Sequence, residues 1–323
     1  MPRPARQATD LTRRDVLRAS GMAGLGLMVG GGATPARGGK SLILLLLVGG
    51  PSQLDSFDPK PDAPSTVRGP FRSIATRVPG IRVCEHLPLL AKRLDRVALV
   101  RSLSHDTAPM HEVGLQLLQT GRVVLPGESA AHVGEMLPDP GDSAPLPVAV
   151  RSRYGRTEFG DRCARAFAHV QSGNRAVVVN MYDSVFSRPS WDAHARGPFS
   201  TLGDYADSVL PTFDTAYHAL LNDLERSGLL DTTLVVAAGE FGRSPRLNSH
   251  GGRDHWTACG SALLAGCGVQ GGRTLGESDS IASAPRDRPV SPGDLVATMV
   301  EAGGGSQRVA LDDHARPIRE AFA

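Results

Sequence analysis

A chain of 323 residues is long enough to bury a large core, and its 41% hydrophobic and 5% aromatic content is that of an ordinary globular protein. Its 35 basic and 33 acidic residues leave a formal charge of +2, and the arginines form no basic stripe interleaved with aromatics, so a nucleic-acid partner is not expected. Four cysteines are too few for a disulfide scaffold.

The N-terminal stretch "TRRDVLRASGMAGLGLMVGGGATPA" has the pattern of a twin-arginine export signal. Arg13 and Arg14 lie between Thr12 and Val16-Leu17, a weakly apolar Gly/Ala-rich stretch follows, and a small-residue cleavage site falls at Thr34 to Ala36. On this reading residues 1–39 are a signal peptide and linker and 40–323 a single domain. The protein is then periplasmic or otherwise exported, and the twin-arginine translocase is a transient partner. No later segment approaches the ~18 consecutive apolar residues of a membrane span, so the mature form is not expected to cross a membrane.

Leu42 to Val48 is an unbroken apolar run closed by Gly49-Gly50, the pattern of a strand buried on both faces in a parallel sheet. The Pro/Gly/Asp-rich segment 49–70 is too long for a plain connection, which suggests a functional loop. A helix is expected over 85–95, a strand over 96–105 and a short helix from His111 to Arg122. Residues 123–156 are rich in proline and glycine. A helix over 159–172 leads to a strand over 175–182, a loop over 183–200 and a helix over 201–227 with Val209, Phe213, Tyr217, Leu220 and Leu224 on one stripe. Strands over 233–239 and 261–266 precede a last helix with Ser291 as N-cap, Pro292 in the first position and Asp294 in the first turn. Cys259 and Cys267 flank the 261–266 strand, roughly 26 Å apart at about 3.3 Å per residue, beyond disulfide reach. Strands alternating with helices predict an α/β fold, an α/β/α sandwich with a mostly parallel central sheet.

In such sheets the ligand crevice lies beyond the carboxyl ends of the strands, where most of the chemically suggestive residues fall. Asp55 and Asp58 follow the first strand, and side-chain to backbone hydrogen bonding in turns accounts for them equally well. His105 and His111 follow the second. In "WDAH", Asp192 and His194 are two apart and face the same way in an extended segment, as two ligands of one cation would, or they belong to a solvated loop. Glu240 sits at the mouth of a very apolar strand, where burial calls for a cation or for the guanidinium of Arg243. "GGRDHW" adds Asp254 and His255. Carboxylate and imidazole without thiolate suit zinc, manganese, magnesium or iron. Arg243 and Arg253, with His105, are the candidates for holding an anionic ester, since guanidinium binds phosphate or sulfate oxygens as a fork.

The segments "LLLLVGGPSQLDSFDPKPDAP", "GIRVCEHLPLLAK", "VALVRSLSHD", "LLQTGR", "WDAH", "LVVAAGEFGRSPRLNSHGGRDHW" and "SALLAGCGVQGG" closely resemble the exported, planctomycete-type family catalogued as domain of unknown function 1501, from about residue 41 to 318. The resemblance implies the alkaline phosphatase and sulfatase superfamily, an α/β/α core, and usually two metals with a Ser, Thr or Cys nucleophile. Matching "LLQTGR" to the end of the sulfatase nucleophile helix puts His111 at the nucleophile position, where it either attacks phosphorus or serves as a ligand, with Ser52 and Ser104 as substitute nucleophiles. Gly49 and Gly50 stand where sulfatases carry aspartates, and "EFG" replaces "DHG", so Glu240 keeps an acidic ligand while Phe241 loses a histidine. The middle region near 123–156 is shorter than is usual in the family. The expectation is a metal-dependent hydrolase of phosphate or sulfate esters, with Asp55, Asp192, His194, Glu240, Asp254 and His255 around a divalent ion and a sulfated or phosphorylated glycan as a candidate substrate. The alternative is a non-catalytic exported module of the same fold that binds an anionic glycan or a partner protein.

Overall fold

The computed structural model describes residues 39–125, 127–136, 145–186, 189–305 and 308–322; the proposed export signal lies outside them. Seven strands form the central sheet: β1 Ser41–Leu46, β2 Val97–Leu103, β3 Glu135–Met136, β4 Ala176–Asn180, β5 Thr233–Ala238, β6 Gly260–Ala265 and β7 Arg273–Leu275. Their order is β7-β2-β6-β5-β1-β4-β3. β1 pairs in parallel with β4 (Leu44 opposite Val178) and with β5 (Leu44 opposite Val236), β4 with β3, and β2 with β7.

Successive residues of β1 alternate between two cores. Ile43, Leu45 and Leu47 pack on one face of the sheet and Leu42, Leu44, Leu46 and Val48 on the other, all buried. Each such side chain contributes about 1.5–3 kcal/mol on burial, which is why an uninterrupted apolar run is stable only as a central strand. The helices that fill the two cores are α1 Pro88–Arg93, α2 His111–Thr120, α3 Glu158–Gln171, α4 Leu210–Arg226 and α5 Pro292–Ala302. Leu90 of α1, Cys163 of α3 and Phe213, Tyr217 and Leu220 of α4 pack into the first core; Leu118 of α2 and Leu295, Val296 and Met299 of α5 pack into the second. The result is the expected α/β/α sandwich with a mostly parallel sheet. Ser291 and Asp294 form the reciprocal cap expected at the start of α5.

Three expectations change in detail. β6 runs antiparallel to both its neighbours, because residues 239–259 contain no crossover helix and the chain re-enters the sheet from the end at which it left. The helix expected from residue 85 begins at Pro88, where the amides of Leu89 and Leu90 donate to the carboxylate of Asp214 on α4. The helix over 201–227 is a capped turn at Leu202–Asp204, a π turn at Tyr205–Val209 and then α4. Among the described residues no helix is long and apolar enough to cross a membrane.

All four cysteines are buried and unpaired. Burial pushes the Cys84 and Cys259 thiols up to about 12 and raises Cys163 and Cys267 as well. Native protein is therefore expected to react negligibly with a thiol-disulfide reagent at pH 8, and to release four equivalents of chromophore in guanidinium; fast native titration of even one thiol would contradict this packing.

Candidate metal centre

β5, β1 and β4 are adjacent, so the loops leaving their carboxyl ends meet. The β1 loop turns at Gly49 and Gly50, both with positive φ, and a Cβ on Gly49 would lie 2.5 Å from the Asp192 amide nitrogen. Glycine there lets the β4 loop close over the sheet edge. That loop is anchored by Trp191, fully buried, whose carbonyl accepts from the Tyr205 hydroxyl at 2.6 Å. It delivers Asp192, also fully buried, to the middle of the crevice. Glu240 leaves β5, and α2 brings His111 to its first turn. A two-stranded ribbon, Gly242–Arg243 paired with His255–Trp256, folds the chain back so that His255 faces the same point.

Three imidazoles converge on Asp192. Its Oδ2 is 3.3 Å from His111 Nε2, and its Oδ1 is 3.1 Å from His194 Nε2 and 3.6 Å from His255 Nε2. The opposite nitrogen of each ring faces an acceptor: His111 Nδ1 lies 2.6 Å from Glu240 Oε1, His255 Nδ1 2.8 Å from the Pro109 carbonyl and His194 Nδ1 3.2 Å from Asp254 Oδ1. A carbonyl or carboxylate oxygen can only accept, so His255, whose Nε2 has no partner, carries its proton on Nδ1 and presents a lone pair inward; His111 and His194 face carboxylates at both nitrogens, and a cation on Nε2 would leave their proton on Nδ1. Outer acceptors that fix the tautomer in this way are what metal-binding histidines require.

The remaining polar atoms also fit a cation. Ligand atoms of His111, Asp192 and His255 all lie within 4.8 Å of one another. Glu240 Oε2 and His255 Nε2 are buried without a hydrogen bond, and the first is a carboxylate oxygen whose burial is costly unless compensated. Without an ion, burial works against charge on His111, but its hydrogen bonds to Asp192 and Glu240 prevail and hold the imidazole up to about 9. Burial disfavours ionisation of Asp192 too, yet His111, His255 and Arg243 keep its carboxyl far below the usual range. Burial lowers His194 despite the adjacent Asp192.

The residues named from the sequence separate into three groups. Asp192 and His255 lie in the cluster, and His194 flanks it. His111, named as nucleophile or ligand, has both ring nitrogens facing carboxylates and stands in the candidate ligand cluster. Glu240 and Asp254 orient His111 and His194 rather than meeting at one point with the others.

Asp55, Arg253 and Ser52 are corrected. Asp55 and Arg253 are fully buried as an ion pair, 2.5 Å between Oδ2 and Nε. The other Arg253 donors go to the carbonyls of Val67, Ser244 and Pro245, and Ser52 donates its hydroxyl to Asp55. No Arg253 donor is left for a substrate anion, Asp55 is spent on the guanidinium, and Ser52 has no free hydroxyl with which to attack. Arg243 is corrected as well: fully buried, it is 2.6 Å from Asp192 Oδ1 and donates to the carbonyls of Gly49, Gly50 and Arg253, so it anchors the aspartate instead of the substrate. His105 is held between the Glu240 carbonyl and the Thr107 hydroxyl, and Ser104 is tied through its amide to Val290 at the end of β2. Asp58 pins the long loop to β2 through Arg101, 3.3 Å away, with Lys60 at 3.0 Å.

Two contributors escaped the sequence reading. Phe241 packs its ring 5.1 Å from His111 and 4.5 Å from His255, forming an apolar wall behind both. Gly114, in the second turn of α2, lies against Glu240: a Cβ there would fall 2.6 Å from Glu240 Cβ and 2.9 Å from its carbonyl oxygen. Glycine inside a short helix was the available signal, since it costs about 1 kcal/mol relative to alanine. Gly114→Ala should therefore lower stability by about 1–3 kcal/mol in chemical denaturation, opposite to the propensity gain, by displacing α2 from Glu240. A stabilised variant would show that α2 is free to move.

The family described as "Protein of unknown function (DUF1501)" matches residues 39–138 and 127–319. No curated protein matches in sequence. Among solved structures, a protein of a Bacteroides thetaiotaomicron locus for glycosaminoglycan metabolism, labelled BT33494S-sulf, is 12% identical with a TM-score of 0.50, over 88% of this chain and 76% of that one. The PsFucS1 sulfatase of Pseudoalteromonas sp. is 10% identical with a TM-score of 0.48, over 88% and 72%. A phosphonate monoester hydrolase of Silicibacter pomeroyi is 12% identical with a TM-score of 0.47, over 88% and 76%. At such identities the likeness is one of fold, sulfatase and alkaline-phosphatase-like.

Proposed function

The chain belongs to the DUF1501 family, and on that premise we propose that it is a metal-dependent hydrolase of phosphate or sulfate esters. The observation that carries this reading is the convergence of three Nε2 atoms on one buried carboxylate, with an acceptor oxygen at every Nδ1. His111, Asp192 and His255 would hold the ion, with His194 beside them. A bound divalent cation supplies Lewis-acid polarisation of a phosphoryl or sulfuryl oxygen. Glu240 and the Pro109 carbonyl keep His111 and His255 in the ligating tautomer. Arg243 balances the charge of Asp192 and fixes its orientation, and Phe241 keeps water from the back of the rings. Imidazole-rich coordination favours zinc or iron over magnesium or manganese.

Elemental analysis of protein purified without chelator, followed by hydrolysis of 4-nitrophenyl phosphate and sulfate before and after chelation, tests the proposal. The expected result is bound metal and chelator-sensitive turnover; absence of stoichiometric metal would sink it. The burial of Arg243 and Arg253 favours a second reading, a non-catalytic module binding an anionic glycan, for which binding to a sulfated polysaccharide would survive chelation. Export by the twin-arginine route is part of the same proposal, and Arg13→Lys with Arg14→Lys should retain the protein in the cytoplasm.

A further inference from the structure

Asn248 lies outside the ligand cluster, half-buried in the segment "RLNSHGGRDHW", and all of its side-chain hydrogen-bonding groups are engaged. Its Oδ1 accepts from the amides of His250 and Gly252, each at 3.0 Å, while Nδ2 donates to the His194 carbonyl at 3.2 Å and to Asp254 Oδ1 at 3.1 Å. Two acceptor contacts on one side and two donor contacts on the other define the amide orientation, and neither aspartate nor serine can supply both. The surrounding backbone is locked in the same way. Asn248 N donates to Gly252 O at 2.8 Å, Arg253 N donates to Ala193 O at 2.8 Å, and a Cβ on Gly252 would lie 2.3 Å from Ala193 O, so the 248–254 loop and the Asp192–His194 loop are in backbone contact.

The Asp254 side chain is 62% exposed. An exposed carboxylate holding a histidine through one 3.2 Å contact is weakly constrained by itself, because solvent competes for it and side-chain freedom opposes it. Asn248 removes that freedom by fastening the same Oδ1 that accepts from His194, and at the same time holds the His194 backbone. We propose that Asn248 is a positioning residue for the metal centre: by clamping Asp254 against His194 and holding the His194 carbonyl it fixes the ring and aims Nε2 at Asp192. The inference rests on the metal-site reading above, and its first readout is independent of metal.

The test uses the full chain and two variants, Asn248→Ala and Asn248→Asp; the second has nearly the same shape but sets a carboxylate oxygen against Asp254. In metal-free protein, nitrogen-15 and proton NMR of the imidazoles should show one fixed His194 ring environment in the wild type and shifted, averaged signals in both variants. Competition with a chromophoric chelator for zinc should show affinity falling about 10-fold in both, the low end for loss of an outer partner, because His194 flanks the ligands. Thermal midpoints should move by only a few degrees, since the loop is at the surface. An unchanged His194 ring signal overturns the proposal whatever the affinity, and so does unchanged affinity beside a wild type that binds zinc. A wild type that binds no metal sinks the hydrolase reading instead and leaves the ring signal as the deciding measurement.

Discussion

Asn in place of Asp192 is expected to abolish metal retention, weakening zinc binding by more than about 100-fold. Loss of an outer partner alone reaches that figure, and here the central carboxylate is lost. Asp192 is the one group on which all three histidines converge, and its side chain is 1% exposed, so water cannot take its place. The substitution keeps the shape but sets an amide N–H₂ against Nε2 lone pairs or against Arg243, whichever way the amide turns. Arg243 then has lost its buried counter-charge, so part of the effect will appear as lower stability. Chelator competition separates the two: a variant that folds with a midpoint near wild type and still retains stoichiometric zinc would remove Asp192 from the site.

Asp55→Ala is the second large expectation, and it concerns stability. Both partners of the Asp55–Arg253 pair are fully buried, and removing one leaves the other as an uncompensated charge, at a cost of about 3–5 kcal/mol. Ser52 loses its acceptor as well. The thermal midpoint should fall on the order of 10 °C. Replacing both, Asp55→Ala with Arg253→Met, should recover at least about half of the loss, because no charge then remains to be desolvated. A single variant within about 1 kcal/mol of wild type would mean that water reaches the pair.

The architecture was legible because its signals are local. The apolar run at β1, the stripe on α4 and the cap at Ser291 each state a period or a terminus within a few residues, and all three stand where expected. The direction of β6 was not legible, since it depends on where the intervening ribbon returns the chain. Within the site, Asp192, His194 and His255 could be named from residue type and from their places after strands. Their division of labour could not. Glu240 and His255 look alike as candidate ligands in a sequence, yet one holds a histidine's proton while the other offers a lone pair.

The arginines show the same limit most clearly. Arg243 and Arg253 were natural candidates for an anion, and both are spent inside the fold, one on Asp192 and loop carbonyls, the other on Asp55. What the sequence by itself determined was the sheet, the helices and the edge at which polar groups collect, because burial periodicity and strand ends are written in neighbouring residues. Which polar group faces which was decided only by the tertiary structure: hydrogen-bond donors and acceptors pair over a few ångströms, and the chain brings such partners together across long separations, 198 positions in the case of Asp55 and Arg253.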